Sequence, residues 1–123
     1  MAARVLIIET DSDLRTSIAV HLRQAGLVVV EAANRREALG VLGRDAPQVV
    51  LLGLGGPGRQ GLALLGQIRS EWPGVKVITL NEREQIDLSI EAMKLGAFAD
   101  LMPPFDRDAL RDCIREASRG LLP

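Results

Sequence analysis

Three acidic residues, Glu9, Asp11 and Asp13, lie at alternate positions directly after the first apolar run of the sequence. Their carboxylate oxygens could hold a hard divalent cation. The same residues are also typical of a helix N-terminus, where an aspartate caps free backbone amides and carboxylates interact favourably with the helix dipole. We favour the helix start, and the sequence predicts neither a metal site nor a cofactor here.

A glycine-rich segment, 53–61, carries the second candidate chemistry. Gly53 to Gly58 satisfy the pattern G-x-G-x-x-G after an apolar run, and Glu82 lies just past the next run, as in dinucleotide-binding sites. However, the pattern follows the third run rather than the first, and Pro57 lacks an amide that could contact a pyrophosphate. Two interpretations of segment 53–61 therefore stay open. It is a loop that neither binds nor reacts, or, alternatively, it makes the domain a sensor for a nucleotide or another small ligand.

Two further side chains could act as a nucleophile or a base. His21 falls within the first predicted helix, with no serine, cysteine or second histidine at a suggestive spacing, which is typical of a solvated surface residue. Cys113 falls on the predicted core-facing side of the last helix, where a free cysteine behaves as a small hydrophobic residue. We therefore predict no catalytic residue and no enzymatic activity.

Short apolar runs alternate with segments of helical periodicity along the whole chain. The predicted strands are 5–8, 27–30, 49–52, 75–80 and 101–102. The fourth of the five predicted helices has a core stripe of Ile86, Ile90 and Met93. Because the strand-like runs are continuously apolar, they indicate strands buried on both faces and hence a parallel sheet. We predict one α/β domain over residues 1–123, a (βα)5 three-layer sandwich.

The composition excludes several classes of function. The 123 residues carry a net charge of −1, which argues against a polybasic protein that binds nucleic acid or a membrane surface directly. Trp72, Phe98 and Phe105 are the aromatic residues, too few for a base-stacking surface. No apolar run approaches the ~20 residues of a membrane span. Together with a single cysteine, these features predict a cytoplasmic protein.

In an open parallel sheet, ligands bind beyond the carboxyl ends of the strands, so the residues that follow each strand are the informative ones. The sequence is similar to the receiver domains of bacterial response regulators. The similarity lies in the residues that follow each strand and in segments 51–62, 96–98 and 104–106. It most resembles the receivers of nitrogen-regulation-type transcription activators. The resemblance covers nearly the whole chain and implies a flavodoxin-like fold with strand order 2-1-3-4-5.

The resemblance also implies a phosphorylation pocket, from which this sequence departs. In the family, an aspartate after the third strand accepts a phosphoryl group, and two acidic residues after the first strand hold Mg²⁺. Here Gly53 stands at the acceptor position, Glu9 keeps one acidic position, Thr10 replaces the other and Asp11 follows it. Glycine has no side chain to phosphorylate, and a neutral threonine is a poor ligand for a hard cation.

Three further positions depart from the family pattern. Asn81 stands where the family has a threonine or serine that bonds the phosphoryl oxygens, and Pro103 stands where it has a lysine. Asp100 replaces the aromatic residue that usually moves with that hydroxyl. We therefore interpret the pocket as degenerate and the chain as a phosphorylation-independent receiver, a regulatory protein-interaction module.

The predicted target is a protein partner or a downstream output domain. A homodimer that forms through residues 84–118 is also possible in this interpretation. Intact receivers often use this range as an interface. We expect one or both of Leu88 and Leu95 to face solvent. The charged rim around this apolar centre is expected to consist of Lys94, Asp100, Arg107 and Arg111.

Overall fold

The predicted alternation of strands and helices is confirmed by a computed structural model, which describes residues 3–55, 59–82, 85–102 and 106–119. The strands are β1 (Arg4–Ile8), β2 (Val28–Ala32), β3 (Val49–Gly53), β4 (Lys76–Leu80) and β5 (Ala99–Leu101). The helices are α1 (Ser12–Gln24), α2 (Arg35–Arg44), α3 (Arg59–Glu71), α4 (Ile86–Lys94) and α5 (Arg107–Ser118). The strands form one parallel sheet in the order β2-β1-β3-β4-β5, as the resemblance implied.

The sheet is buried on both faces because successive residues of its central strands are apolar. In β1, Leu6 and Ile8 join the core under α2, α3 and α4, whereas Val5 and Ile7 join the core under α1 and α5. This arrangement is the predicted three-layer sandwich, in which the loops that follow the strands meet at one edge. Along the described part of the chain, no helix has both the length and the apolar character that crossing a bilayer requires.

The glycine-rich segment 53–61 is not a single loop, contrary to the prediction. Gly53 ends β3, and Gly61 lies inside α3, which already begins at Arg59. Glycine has a low helix propensity, so the composition of the segment favours a loop as far as Gly61. Packing of α3 against the sheet, with Leu65 completely buried, outweighs that local preference.

The helical phase predicted for α4 is wrong. The predicted core residues Ile86, Ile90 and Met93 are 59%, 50% and 46% exposed, whereas Leu88 is 8% exposed and Ala92 is completely buried. Because α4 has apolar residues on both sides, periodicity alone does not determine which side faces the sheet. The small Ala92 and the adjacent Leu88 share the core with α3, which leaves the larger stripe outside.

Both α1 and α5 begin with an aspartate cap. Asp106 Oδ1 accepts hydrogen bonds from the amides of Asp108 at 2.9 Å and Ala109 at 3.3 Å, and Asp11 caps α1 in the same way. Replacing Asp106 with alanine is expected to lower the free energy of unfolding by about 1 kcal/mol, because these amides lose their partner. Asparagine should cost much less. Urea denaturation measures both variants, and equal losses would contradict the capping role.

Candidate functional site

The predicted degenerate pocket lies where β1 and β3 end side by side. Ile8, the last residue of β1, is the register partner of Leu52, so the next residues, Glu9 and Gly53, are neighbours. Glu9 is buried, with 6% of its surface exposed. The structure therefore brings together two residues that the sequence placed in one pocket.

The Glu9 carboxylate occupies the space that a side chain on residue 53 would need. A β-carbon built on Gly53 would lie 2.2 Å from Glu9 Oε1 and 2.8 Å from Glu9 Cδ, far inside van der Waals contact. Glu9 Oε2 accepts a hydrogen bond from the Asp11 amide at 2.9 Å and a longer one from the Thr10 hydroxyl at 3.4 Å. These bonds hold the carboxylate over Gly53, a contact that the sequence analysis did not anticipate.

The pocket does not fit the Mg²⁺ ion that the resemblance implies. Asp11 caps α1, and the carboxylate of Glu9 is held toward Gly53. Thr10 is exposed and contributes only a neutral hydroxyl. Within the described residues, no three His, Cys, Asp or Glu side chains converge as a metal site would require. A hard cation that prefers several carboxylate oxygens therefore meets a poor set of donors.

Asn81 follows β4 and is buried, with 1% of its surface exposed. Its Nδ2 donates hydrogen bonds to the Gln85 carbonyl at 3.2 Å and to Ser89 Oγ at 3.0 Å, and its Oδ1 accepts one from the Glu82 amide at 2.9 Å. Both ends of the side-chain amide are therefore engaged at the start of α4. The hydroxyl that the resemblance implies here would bond phosphoryl oxygens, whereas Asn81 joins β4 to α4.

The sequence analysis missed a polar pair between β4 and β5. Thr79 is completely buried, and its hydroxyl donates a hydrogen bond to Asp100 Oδ1. The two residues are register partners, because β5 spans Ala99–Leu101 rather than the predicted 101–102. Asp100 is thus tied to the sheet at the position where the family usually has a mobile aromatic residue. A lone threonine in the apolar run of β4 was the signal available in the sequence.

The first described part of the glycine-rich segment, 53–55, has a second carboxylate close by. A β-carbon on Gly55 would lie 2.7 Å from Glu82 Oε1, so the Glu82 carboxylate lies against this glycine. A carboxylate at this place would repel the phosphates that a glycine-rich loop binds. Pro57, Gly58 and Pro103 lie outside the described residues, and what the sequence predicts for them stays a prediction.

His21 and Cys113 lie in surroundings that do not favour catalysis. His21 Nε2 lies 3.2 Å from the Arg107 carbonyl oxygen, at an exposed contact between α1 and α5. Burial raises the pKa of the half-buried Cys113 thiol, and the nearby Glu116 carboxylate raises it further. A raised pKa lowers the fraction of thiolate, which is the nucleophilic form.

The residues of the predicted interface do not form one exposed group. Lys94 and Leu95 are exposed at the end of α4, but Leu88 is buried, so only Leu95 faces solvent as expected. Arg107 donates a hydrogen bond to a serine of α1 at 3.0 Å. Arg111 forms ion pairs with two aspartates of its own helix at 3.4 and 3.1 Å. Arg107 is itself exposed on α5, and the exposed apolar residue of the predicted surface, Leu95, lies at the end of α4.

Comparison with known proteins identifies the family. The family model described as "Response regulator receiver domain" matches residues 5–115. Over 123 residues the chain is 36% identical to the response regulator protein FleR of Pseudomonas aeruginosa, of which it covers 26%. It is 36% identical over 104 residues, 85% of its length, to the DNA-binding transcriptional regulator NtrC of Escherichia coli, of which it covers 22%. The chain thus spans about a quarter of the length of these relatives.

A solved structure has the same fold. The crystal structure of a response regulator from Thermotoga maritima matches with a TM-score of 0.88 at 26% identity, covering 97% of this chain and 99% of that one. The family resemblance drawn from the sequence is therefore confirmed over nearly the whole chain. The chain belongs to the family of response regulator receiver domains.

Proposed function

We propose that this receiver domain works without phosphorylation, as a regulatory module that acts through contacts with protein. The observation that carries the proposal is the position of Glu9, whose Oε1 lies 2.2 Å from where a β-carbon of residue 53 would be. The acceptor position has no side chain, and it has no room for one unless Glu9 moves. The domain accordingly has no catalytic role of its own.

The charges around Gly53 support the same conclusion. Phosphoryl transfer depends largely on positioning and on cations that neutralise the charge of the transferred group. The carboxylates of Glu9 and Glu82 lie against Gly53 and Gly55, and both are negative. An incoming phosphoryl group would therefore meet repulsion where the family chemistry needs a metal ion and a lysine.

The surface that remains for signalling is an exposed apolar stripe on α4. We call it the α4 face and define it by three side chains of the helix, Ile86, Ile90 and Met93; these and the C-cap residue Leu95 are each more than two-fifths exposed. The first three have the spacing i, i+4 and i+7, which places them along one side of the helix. Single exposed apolar residues are ordinary, but a stripe beside polar groups such as Lys94 is typical of an interaction surface.

We propose that the α4 face contacts a downstream output domain or a separate protein partner. The relatives FleR and NtrC are much longer than the segment matched here, and NtrC is by name a DNA-binding transcriptional regulator. These matches support a role in transcription control through a neighbouring protein segment. The net charge of −1 argues against direct contact of this domain with nucleic acid. A homodimer through residues 84–118 would use the same face.

Incubation with acetyl phosphate and Mg²⁺ is expected to leave the mass of the protein unchanged, because the acceptor position is a glycine covered by a carboxylate. Intact-mass spectrometry measures the result, with a receiver domain that has an aspartate after β3 as the positive control. A stable gain of one phosphoryl group on any residue of this chain would overturn the proposed function.

A further inference from the structure

A cavity of about 290 Å³ lies beside the degenerate pocket, between the carboxyl ends of β1 and β3 and the first turns of α2 and α3. Its wall is mainly apolar and includes Ile8, Ala33, Leu52 and Leu64. Two charged residues, Glu9 and Arg35, also line it. Its volume is near the lower end of the ~300–1,000 Å³ range of small-molecule pockets.

The buried carboxylate of Glu9 has no cationic partner among the described residues. Its Oε2 accepts the hydrogen bonds from Asp11 and Thr10, whereas no donor in that part of the chain bonds Oε1. The guanidinium of Arg15 donates to the Glu9 carbonyl oxygen at 2.7 Å and pairs with Glu31 at 3.4 Å. A cation placed beside this carboxylate would donate a charge-assisted hydrogen bond that the described residues do not supply.

The other charged residue of the cavity does not supply that partner. Arg35 is exposed, and its guanidinium donates a hydrogen bond to Gln67 Oε1 across the gap between α2 and α3. A metal ion is also a poor candidate, because a single carboxylate beside apolar residues lacks the several oxygen ligands that a hard cation takes. A ligand that pairs with Glu9 inside this cavity is therefore a cation that also suits apolar walls.

We propose that this cavity binds a small organic cation, a protonated amine or amidine on a compact apolar body, with Glu9 as its counter-ion. The cationic group would donate to Glu9 Oε1, and the apolar body would pack against Ile8, Leu52 and Leu64. The proposal shares Glu9 and Gly53 with the pocket of the proposed function, but benzamidine binding and phosphorylation are separate measurements, so either can fail without the other.

Titration of the 123-residue chain with benzamidine, followed by two-dimensional ¹H–¹⁵N NMR, tests the proposal. We expect saturable shifts of the amides that line the cavity, such as those of Ala33, Gly53 and Ala63, and much smaller shifts with benzyl alcohol or benzoate. Glu9→Gln keeps the shape and removes the charge, so benzamidine should bind at least about tenfold more weakly to it. Glu82→Gln removes a carboxylate outside the cavity and should bind as the native chain does.

A second pair of variants keeps the test valid if Glu9→Gln fails to fold. Ala63 is exposed at the edge of the cavity on α3, so Ala63→Phe should block binding without unfolding the protein. Ser70→Phe places the same side chain at an exposed position of the same helix, away from the cavity, and should bind normally. The absence of saturable benzamidine shifts, equal binding of benzyl alcohol, tighter binding of benzoate, or binding that survives Ala63→Phe would each overturn the proposal.

Discussion

Replacing Gly53 with alanine is expected to lower the free energy of unfolding by about 1–3 kcal/mol, the usual cost of adding a group to a filled space. The new methyl group would lie 2.2 Å from Glu9 Oε1, so the carboxylate would have to leave its position. Leaving breaks its 2.9 Å hydrogen bond from the Asp11 amide and moves a buried charge. Urea denaturation of the native chain and the variant measures this loss.

The effect of Gly53→Ala on the free energy of unfolding should change sign when Glu9 is replaced by alanine. The described glycines with a left-handed backbone are Gly26 and Gly96, so residue 53 can accept alanine without strain. With the carboxylate gone, Gly53→Ala should raise the free energy of unfolding by about 0.4–1 kcal/mol, because alanine restricts the unfolded chain. A double-mutant cycle should therefore give a coupling energy above about 1 kcal/mol.

Gly40→Ala is the matched control for this cycle. A β-carbon at Gly40, within α2, would meet no atom within 4 Å, so alanine should stabilise the helix by up to about 1 kcal/mol in both backgrounds. Equal effects of Gly53→Ala with and without the Glu9 side chain would show that Glu9 does not fill the acceptor position.

The same geometry predicts that restoring the acceptor aspartate alone will not restore phosphorylation. Gly53→Asp adds the steric conflict with Glu9 and places a second carboxylate against the first, which raises the cost further. Asn81 would still be engaged with α4, and Thr10 would still lack a charge for Mg²⁺. Acetyl phosphate should therefore leave this variant unmodified as well.

The sequence was sufficient for the sheet and for the positions that meet at its edge. Continuous apolar runs require burial on both faces, and the family resemblance supplied the strand order, so Glu9 and Gly53 could be placed together in advance. What the sequence could not show is the direction of the Glu9 side chain. That direction depends on the hydrogen bond from the Asp11 amide to Glu9 Oε2. The amide reaches this oxygen only once the loop after β1 has folded.

The sequence did not predict correctly which side of α4 faces the core, and the reason is different. A helix with apolar residues on two sides has two self-consistent orientations, and the larger stripe, Ile86, Ile90 and Met93, is the natural choice for a core. The space beside α3 instead suits Leu88 and the small Ala92. Only the packing of neighbouring elements decides between the two, and the result leaves the larger side chains available for a partner.

Leu88→Asp is therefore expected to lower the free energy of unfolding by about 3–5 kcal/mol, because it loses a buried leucine and buries an unpaired charge. Ile90→Asp, two residues further along the same helix, should cost less than about 1 kcal/mol, since that side chain is half exposed. The two variants introduce the same residue into one helix and differ only in the side that carries it. Urea denaturation of both measures the contrast, and a reversed order would restore the phase predicted from the sequence.

Because Ile90→Asp should leave the fold intact, it also tests the α4 face as an interaction surface. Sedimentation equilibrium of the chain, alone and mixed with a candidate partner protein, would measure association before and after the substitution. Charge in the middle of an apolar contact should weaken that association at least about tenfold, since a buried unpaired carboxylate costs more than 1.4 kcal/mol. Val20→Asp on α1, where the side chain is 46% exposed, is the matched control and should have no effect on binding. Association that is equally strong in all three proteins would exclude the α4 face, whereas loss in Ile90→Asp alone would assign the contact to that side of the helix.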